Sequence, residues 1–292
     1  MVGFLLIDKP EGCTSFDVVA CCRKAFGMKR VGHCGTLDPF ATGLLIIALG
    51  EACKLLEYLP TEPKIYEGSA ILGATSSTYD REGEKTPVLG APELNTKIDL
   101  PMITKIVQEK LMGRVSQVPP AFSAVKIRGV SAHVRARQGQ VFEIKPRMIQ
   151  VDSFSVTDYQ YPDFHFAMQV GSGTYVRTLI HDLGQLLGVG AYVATLRRTR
   201  MGVFDVEKAI SLEELQKGAM PTLLPLEVAV SGLSRVDISE LEYERLGHGL
   251  FIDRDDAIAD SVYAGFYQDR LVGILEFAES GKLKFHKKLN LD

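Results

Sequence analysis

The alternation of apolar and polar positions divides the chain into short strands and a few helices. Phe4 to Ile7 is an apolar run that meets Asp8-Lys9-Pro10-Glu11-Gly12, which predicts a strand and then a turn. Thr14 or Ser15 then caps a helix running to about Phe26, with Phe16, Val19, Ala20 and Phe26 as its apolar stripe and Gly27 as its stop. A glycine-rich loop follows, and Gly43 to Leu49 reads as a buried strand. Lys64 to Leu72 predicts another strand, residues 74–100 are turn-rich, and Ile103 to Met112 predicts a helix. Phe164, Phe166, Met168 and Val170 alternate as a half-buried strand, broken by Gly171-Ser172-Gly173. Val176, Leu179, Ile180, Leu183, Leu186 and Leu187 then fall at helical spacing up to Gly188, with Arg177 near the helix start. Past residue 225 the texture changes. A helix within DISELEYERLGHG precedes two hairpins, turning near Gln268-Asp269 and at Ser280-Gly281. This predicts a unit of 1–227 and a small, mostly β unit of 228–292.

Composition adds bounds. At 292 residues, 46% hydrophobic and 24% charged, the chain can bury a sizeable core. No apolar run is long enough for a membrane helix, and MVGFLLIDKPEG lacks the pattern of a signal peptide, so a cytoplasmic protein is expected. The five cysteines all lie in the first 53 residues without a CxxC pair, which reads as reduced, small apolar side chains. The net charge is only −3, but its distribution is uneven. Residues 101–150 carry nine Lys/Arg against two Asp/Glu, while 211–292 carry nine against fifteen. The basic stretch from Lys126 to Arg147 reads as loop, short helix and loop. It suits phosphate contact better than a salt-bridged face, because balancing acids are missing.

Several chemistries are excluded by missing patterns. The six histidines form no HxxxH or HExxH pair, and there is no GxxxxGK[ST] or GxSxG. This sets aside zinc deaminases, kinases, common hydrolases and, with no Rossmann turn, dehydrogenases. What remains is Asp38 in GHCGTLDPFATGLL, Tyr66 after Lys64, the basic stretch, and Tyr175-Val176-Arg177. On residue type alone, Asp38 could be a turn residue, Tyr66 a core tyrosine and Arg177 a surface arginine. A helix start disfavours a cation, however, so Arg177 is expected to have a partner.

Five blocks in register resemble TruB-type tRNA pseudouridine synthases: IDKPEGCTS, GHCGTLDPFATGLL, KIY, VPPAFSAVKIRG and GTYVRTLIHDLG. The resemblance spans residues 3 to about 210, and the tail resembles the small PUA-like domain that closes many members. It implies an α+β fold: a catalytic domain with a central mixed, mainly antiparallel sheet flanked by helices and loops, plus the C-terminal β domain. It implies isomerisation of uridine 55 in the tRNA T loop, with no cofactor and no metal. Asp38 would be the carboxylate that acts on the sugar, as nucleophile or as charge stabiliser. Arg177 would pair with Asp38. Tyr66 would stack on the extruded uracil and handle the C5 proton.

Tyr175 would pack in the same pocket, and Leu196 would form an apolar wall. His33 would fill the place vacated by the flipped base, or serve as a hydrogen-bonded loop histidine. Lys9 and Lys64 would contact phosphate or stabilise loops. Residues 120–150 would form a thumb over the T-arm, through Lys126, Arg128, Arg135 and Arg137, reading shape and phosphate. Two departures stand out: Val170-Gly171-Ser172-Gly173 replaces the usual C-S-x-G, and His133 replaces a commoner aromatic in the thumb. The other readings are a tRNA-folding chaperone and a guide-RNA-dependent synthase. Relatives of the latter kind carry longer basic extensions. A stand-alone enzyme without an obligatory protein partner is therefore expected, and a monomer, since no leftover apolar face is evident.

Overall fold

Ten strands share one mixed sheet. The computed structural model describes residues 1–90, 97–127, 129–254, 257–259, 261–279 and 281–291. The chain opens with β1 (Gly3–Lys9), α1 (Ser15–Ala25), β2 (Val31–Cys34), β3 (Thr42–Leu49), β4 (Lys64–Leu72), β5 (Ala74–Ser76) and β6 (Lys85–Pro87). Next come α2 (Leu100–Lys110), β7 (Gly113–Gln117), β8 (Lys126–Ile127), β9 (Val130–Ser131), α3 (Ala132–Arg137), β10 (Arg147–Gln160) and β11 (Asp163–Val170). Then follow α4 (Val176–Leu186), β12 (Ala191–Met201), β13 (Phe204–Asp205), β14 (Ile210–Ser211) and α5 (Leu212–Gln216). The remainder is β15 (Ser234–Asp237), α6 (Glu240–Gly247), β16 (Ile252–Asp253), β17 (Val262–Tyr267), β18 (Arg270–Glu279) and β19 (Lys282–Lys288).

The main sheet runs β14-β1-β3-β12-β4-β11-β10-β7, with β2 on β3 and β13 on β12. Only β1–β14 and β3–β12 pair in parallel, so the sheet is mixed and mainly antiparallel. β3 is buried from Gly43 to Leu49 because both of its faces are covered. One face meets α1 through Val18, Val19 and Cys22, and the other meets Phe4, Leu55 and Phe204. The third apolar cluster lies under α4, whose Leu179, Ile180 and Leu183 are fully buried. Beyond residue 233 a five-stranded sheet runs β15-β17-β18-β19-β16. Its Ala264, Phe266, Leu271 and Ile274 share an apolar cluster with Phe4 and Leu44 of the first sheet and with Leu55 of the helical turn after β3. No helix among the described residues is long and apolar enough to cross a membrane.

The expected elements are present, with three corrections. The stripe of α1 is not Phe16 and Ala20; Phe16 is 62% exposed and Ser15, Val18, Val19 and Cys22 face inward. The Thr14–Asp17 capping box sets the helix phase, and Ser15 is held by Leu37 instead of facing out. The loop expected from Gly32 begins as strand, since β2 pairs with β3 from Val31 to Cys34. Strands β10 and β12 carry no clean alternation and went unforeseen; both contain bulges, and β12 holds Arg197, Arg198 and Arg200. Of the two expected hairpin turns, Gln268-Asp269 joins β17 to β18 in left-handed conformation. Ser280 lies outside the described residues, between β18 and β19.

The parallel junction of β3 and β12 depends on Gly43, which has φ +102° and pairs with Arg198. A Cβ there would sit 2.3 Å from the Arg198 carbonyl oxygen and 2.8 Å from its nitrogen. Gly43→Ala is expected to cost more than about 3 kcal/mol, combining backbone strain with a backbone clash. Gly139→Ala, also left-handed but with nothing near its Cβ, is expected to cost about 1 kcal/mol. Urea unfolding of the two variants checks this, and similar losses would show that the close approach does not matter.

Candidate active site

The loop between β2 and β3 is pinned from both sides, and this aims Asp38. Leu37 N donates to Ser15 Oγ at 2.9 Å, and Ser15 Oγ donates to the Leu37 carbonyl at 3.2 Å. The Pro39 carbonyl accepts from Gly12 N at 2.9 Å and Lys9 Nζ at 3.2 Å. Leu37 and Phe40 anchor the loop in the core. Asp38 is thereby held between two fixed residues while its side chain keeps 36% exposure.

Arg177 is the second residue of α4 and is 4% exposed at its side chain. Its Nη2 donates to Asp38 Oδ1 at 3.0 Å, and its Nε lies 2.9 Å from Oδ2 as an ion-pair contact. Nη1 donates to the Thr78 carbonyl at 2.7 Å and lies 3.3 Å from Asp80 Oδ2. Nη2 also donates to the Phe122 carbonyl at 3.0 Å. The partner expected from the unfavourable helix position is thus Asp38, joined by a second acid, Asp80. Asp80 is 3% exposed, and its Oδ1 accepts from Thr78 Oγ1 at 2.5 Å and Glu82 N at 2.9 Å. Burial pushes the Asp38 carboxyl up; Arg177 pulls it down, and the charge of Asp80 adds to the rise.

Tyr66 on β4 is buried and sits opposite Arg198 of β12. Arg198 is 1% exposed, and no carboxylate pairs with it among the described residues. Its Nε and Nη2 donate to the Leu44 carbonyl at 2.9 and 2.7 Å, Nη2 also to that of Gly35 at 2.6 Å, and Nη1 to the Tyr66 hydroxyl at 3.5 Å. Tyr175 is held by exchange with buried Gln117: Tyr175 N donates to Oε1 at 2.9 Å and Gln117 Nε2 to the Tyr175 carbonyl at 3.0 Å. The Arg147 guanidinium lies 4.9 Å from the Tyr175 ring centre.

Asp38, Tyr66, Tyr175, Arg177 and Leu196 line one cavity of about 310 Å³, with Lys64, Arg147 and Arg198. On the other side of Asp38 and Arg177 lies a groove of about 540 Å³, lined by His33, Phe122, His133 and Arg137. His33 Nε2 is 3.2 Å from Thr36 Oγ1, and burial pushes its pKa down, helped by the charge of Arg198.

The remaining expected residues divide. Lys9 is fully buried and its ammonium donates to the carbonyls of Pro10, Cys13 and Pro39, so of its two expected roles only bracing the loop fits; burial lowers its pKa. Lys64 donates to Ser172 Oγ at 2.9 Å beside the cavity. In the thumb, Lys126 and Arg137 are exposed. Arg135 is turned inward onto Gln140 and the Ile127 carbonyl. Arg128 lies outside the described residues. Asp80 and Arg198 were missed. Once β12 is known to be a strand, Arg198 follows, because it shares strand parity with Leu196 and faces the same way. For Asp80 the signal is thinner: a buried cation at a helix start calls for more negative partners than one.

Two family profiles now bear on this geometry. The TruB family pseudouridylate synthase N-terminal domain matches residues 23–176, and the tRNA pseudouridylate synthase B C-terminal domain matches residues 177–231. The chain belongs to the TruB family. It is 38% identical over 266 residues to tRNA pseudouridine synthase B of Syntrophotalea carbinolica, covering 90% of this chain and 85% of that protein. To the enzyme of the same name from Thermobifida fusca it is 41% identical over 256 residues, covering 85% of each. Among solved structures, a Cbf5-Nop10-Gar1 complex contains a chain with TM-score 0.67 and 27% identity, over 98% of this chain and 84% of that one. An H/ACA RNP bound to a substrate RNA containing 2′-deoxyuridine gives TM-score 0.70 at 24% identity, over 99% and 85%, a likeness of fold. The TruB sequence blocks fall on the loop, strand and helix that meet at Asp38.

Because the charge of Asp80 raises the proton affinity of Asp38, Asp80→Asn removes one cause of that rise. The carboxylate of Asp38 then persists to lower pH. The acidic limb of the pH profile for turnover is expected to move to lower pH in Asp80→Asn, with a reduced plateau because Arg177 loses an anchor. A limb that stays put or moves upward would show that Asp38 is not the group titrating there.

Proposed function

We propose that this TruB-family chain isomerises a uridine of tRNA to pseudouridine, at position 55 in the T loop. The observation that carries the reading is the Asp38–Arg177 pair opening into a small cavity with an aromatic and an apolar wall. The reaction breaks the uracil N1–C1′ bond, turns the base, and joins C5 to C1′. N1 gains a proton and C5 loses one. A carboxylate next to C1′ can attack it or stabilise positive charge there, and Arg177 keeps it oriented for either. Tyr66 is suited to stack on the base and take the C5 proton. Leu196 excludes water from the same wall.

The base must leave its stack before it reaches Asp38, which costs a few kcal/mol. The groove beside the cavity suits the RNA that remains outside, with His33 at the vacated stack position. Lys126 and Arg137 of the thumb are free to meet phosphate, and Arg135 supports the thumb from within. No protein partner is required for these steps, and a monomer acting in the cytoplasm is our reading. The cavity is lined by four cations, Lys64, Arg147, Arg177 and Arg198, against one carboxylate. That balance suits a nucleotide whose phosphate is negative and whose uracil gathers negative charge as N1–C1′ breaks.

The test is tritium release from tRNA labelled at uridine C5, wild type beside Asp38→Asn. Release by wild type alone, mapped to the T loop, is expected, with tRNA still bound by the variant. Loss of binding together with turnover would make Asp38 structural. No release from either, with tRNA bound, would leave a tRNA-folding chaperone on a synthase scaffold.

A further inference from the structure

Thr78 and Asp80 both reach Arg177, one through its carbonyl at 2.7 Å and the other through Oδ2 at 3.3 Å. Tyr79, between them, has φ +64°. Left-handed backbone is uncommon for any residue with a side chain, and bulky ones are found there only when their surroundings hold them. Asparagine or glycine would take that conformation with less strain. A tyrosine that goes against local preference beside a reacting pair points to a task for its ring.

The ring has a defined partner. It stacks on the imidazole of His181, with centroids 3.9 Å apart and planes 13° apart. His181 lies four residues after Arg177 on α4, so both side chains leave the same side of the helix. The buried Nδ1 of His181 has no hydrogen-bond partner, so on that side the ring is held by packing. The rest of the turn is fixed by backbone bonds: Tyr79 N donates to the Ser76 carbonyl at 3.0 Å, and Val193 N donates to the Tyr79 carbonyl at 3.0 Å. Those bonds tie the turn to itself and to β12. The stack fastens it to the helix that carries Arg177 by a contact outside the Arg177 side chain itself, and the charge of Asp182 on the same helix also reaches Tyr79.

We propose that Tyr79 is a positioning residue for pseudouridine formation: its ring, clamped on His181, holds the 78–80 turn against α4 so that Arg177 keeps Asp38 aligned. The proposal rests on the reading of Asp38 and Arg177 as the reacting pair. With the clamp gone, the guanidinium still has its partners but their registry against the helix loosens. A shift of about 1 Å at a reacting group can cost about a hundred-fold in rate.

The experiment is single-turnover tritium release from C5-labelled tRNA, with tRNA affinity and far-UV circular dichroism measured on each variant. Tyr79→Phe keeps the stack and is expected to stay within about two-fold of wild type. Tyr79→Asn keeps the backbone conformation and removes the ring. It and His181→Ala are each expected to lose about 10- to 100-fold in rate, with unchanged tRNA affinity and native dichroism. His181→Phe restores a stacking partner and most of the rate. The double variant Tyr79→Asn/His181→Ala is expected to be no slower than the slower single one, because both break one contact. A Tyr79→Asn rate near wild type overturns the proposal, as does a loss shared by tRNA affinity or a double variant that multiplies the two losses. Asp38→Asn runs alongside. If it turns over normally, the reading of the reacting pair fails and the proposal with it; if it is dead while Tyr79→Asn is normal, the positioning role alone fails.

Discussion

One buried guanidinium organises this site. Arg177 is almost wholly removed from water, and an isolated charge there would be costly. It is stable because four chain segments converge on it: Asp38 from the β2–β3 loop, Thr78 and Asp80 from the β5–β6 turn, Phe122 from the thumb root, and α4 beneath. The planar fork of arginine can meet several acceptors at fixed angles, which an ammonium could not do. The dependence runs both ways. Each segment is positioned by the cation it neutralises, and loss of any partner would leave the others around an under-compensated charge.

The second buried arginine makes the contrast. Arg198 has carbonyl oxygens where Arg177 has carboxylates. Its positive charge is therefore solvated by dipoles and not cancelled. It lies against the hydroxyl of Tyr66, at the strand crossing that also places Leu196. Gly43 and Gly35 make room for it, since a Cβ at either would meet its backbone or its guanidinium. The strand pairing that shapes the sheet thus also sets the electrostatics of the pocket.

How far the sequence alone reached can be traced residue by residue. Asp38, Tyr66, Tyr175 and Arg177 were named from motifs and Leu196 from the family resemblance, and the structure gathers them around one cavity. The helix-dipole argument at Arg177 gave a partner but not the number of partners, because Asp80 sits in a turn-rich stretch with no period to read. Strands β1, β3, β4 and β11 were legible from apolar runs or alternation. β10 was not, since its bulges shift the parity at Val151/Ser153 and Val156/Asp158. β12 was not, because arginines in a strand look like surface until their partners are known: Asp8 for Arg197, backbone carbonyls for Arg198 and Asp205 for Arg200. Lys9 illustrates the same limit in reverse. Its charge suggested phosphate, while its position at the end of a buried strand makes it a brace for three carbonyls.

The lysine brace helps fix Asp38 beside the guanidinium it shares with Asp80, with no metal-ligand cluster among the described residues. On the proposed reading Asp38 has to be ionised, aimed and reachable at once, and these demands conflict. Exposure would keep it ionised but let it swing, and full burial would aim it but favour the protonated form. The structure separates the tasks. The backbone is fixed by Ser15 and by Lys9 through Pro39, the charge is countered by Arg177, and the carboxyl keeps partial exposure between the cavity and the groove. Asp80 then acts as a counterweight. It shares Arg177 with Asp38, and its charge adds to the rise in the proton affinity of Asp38.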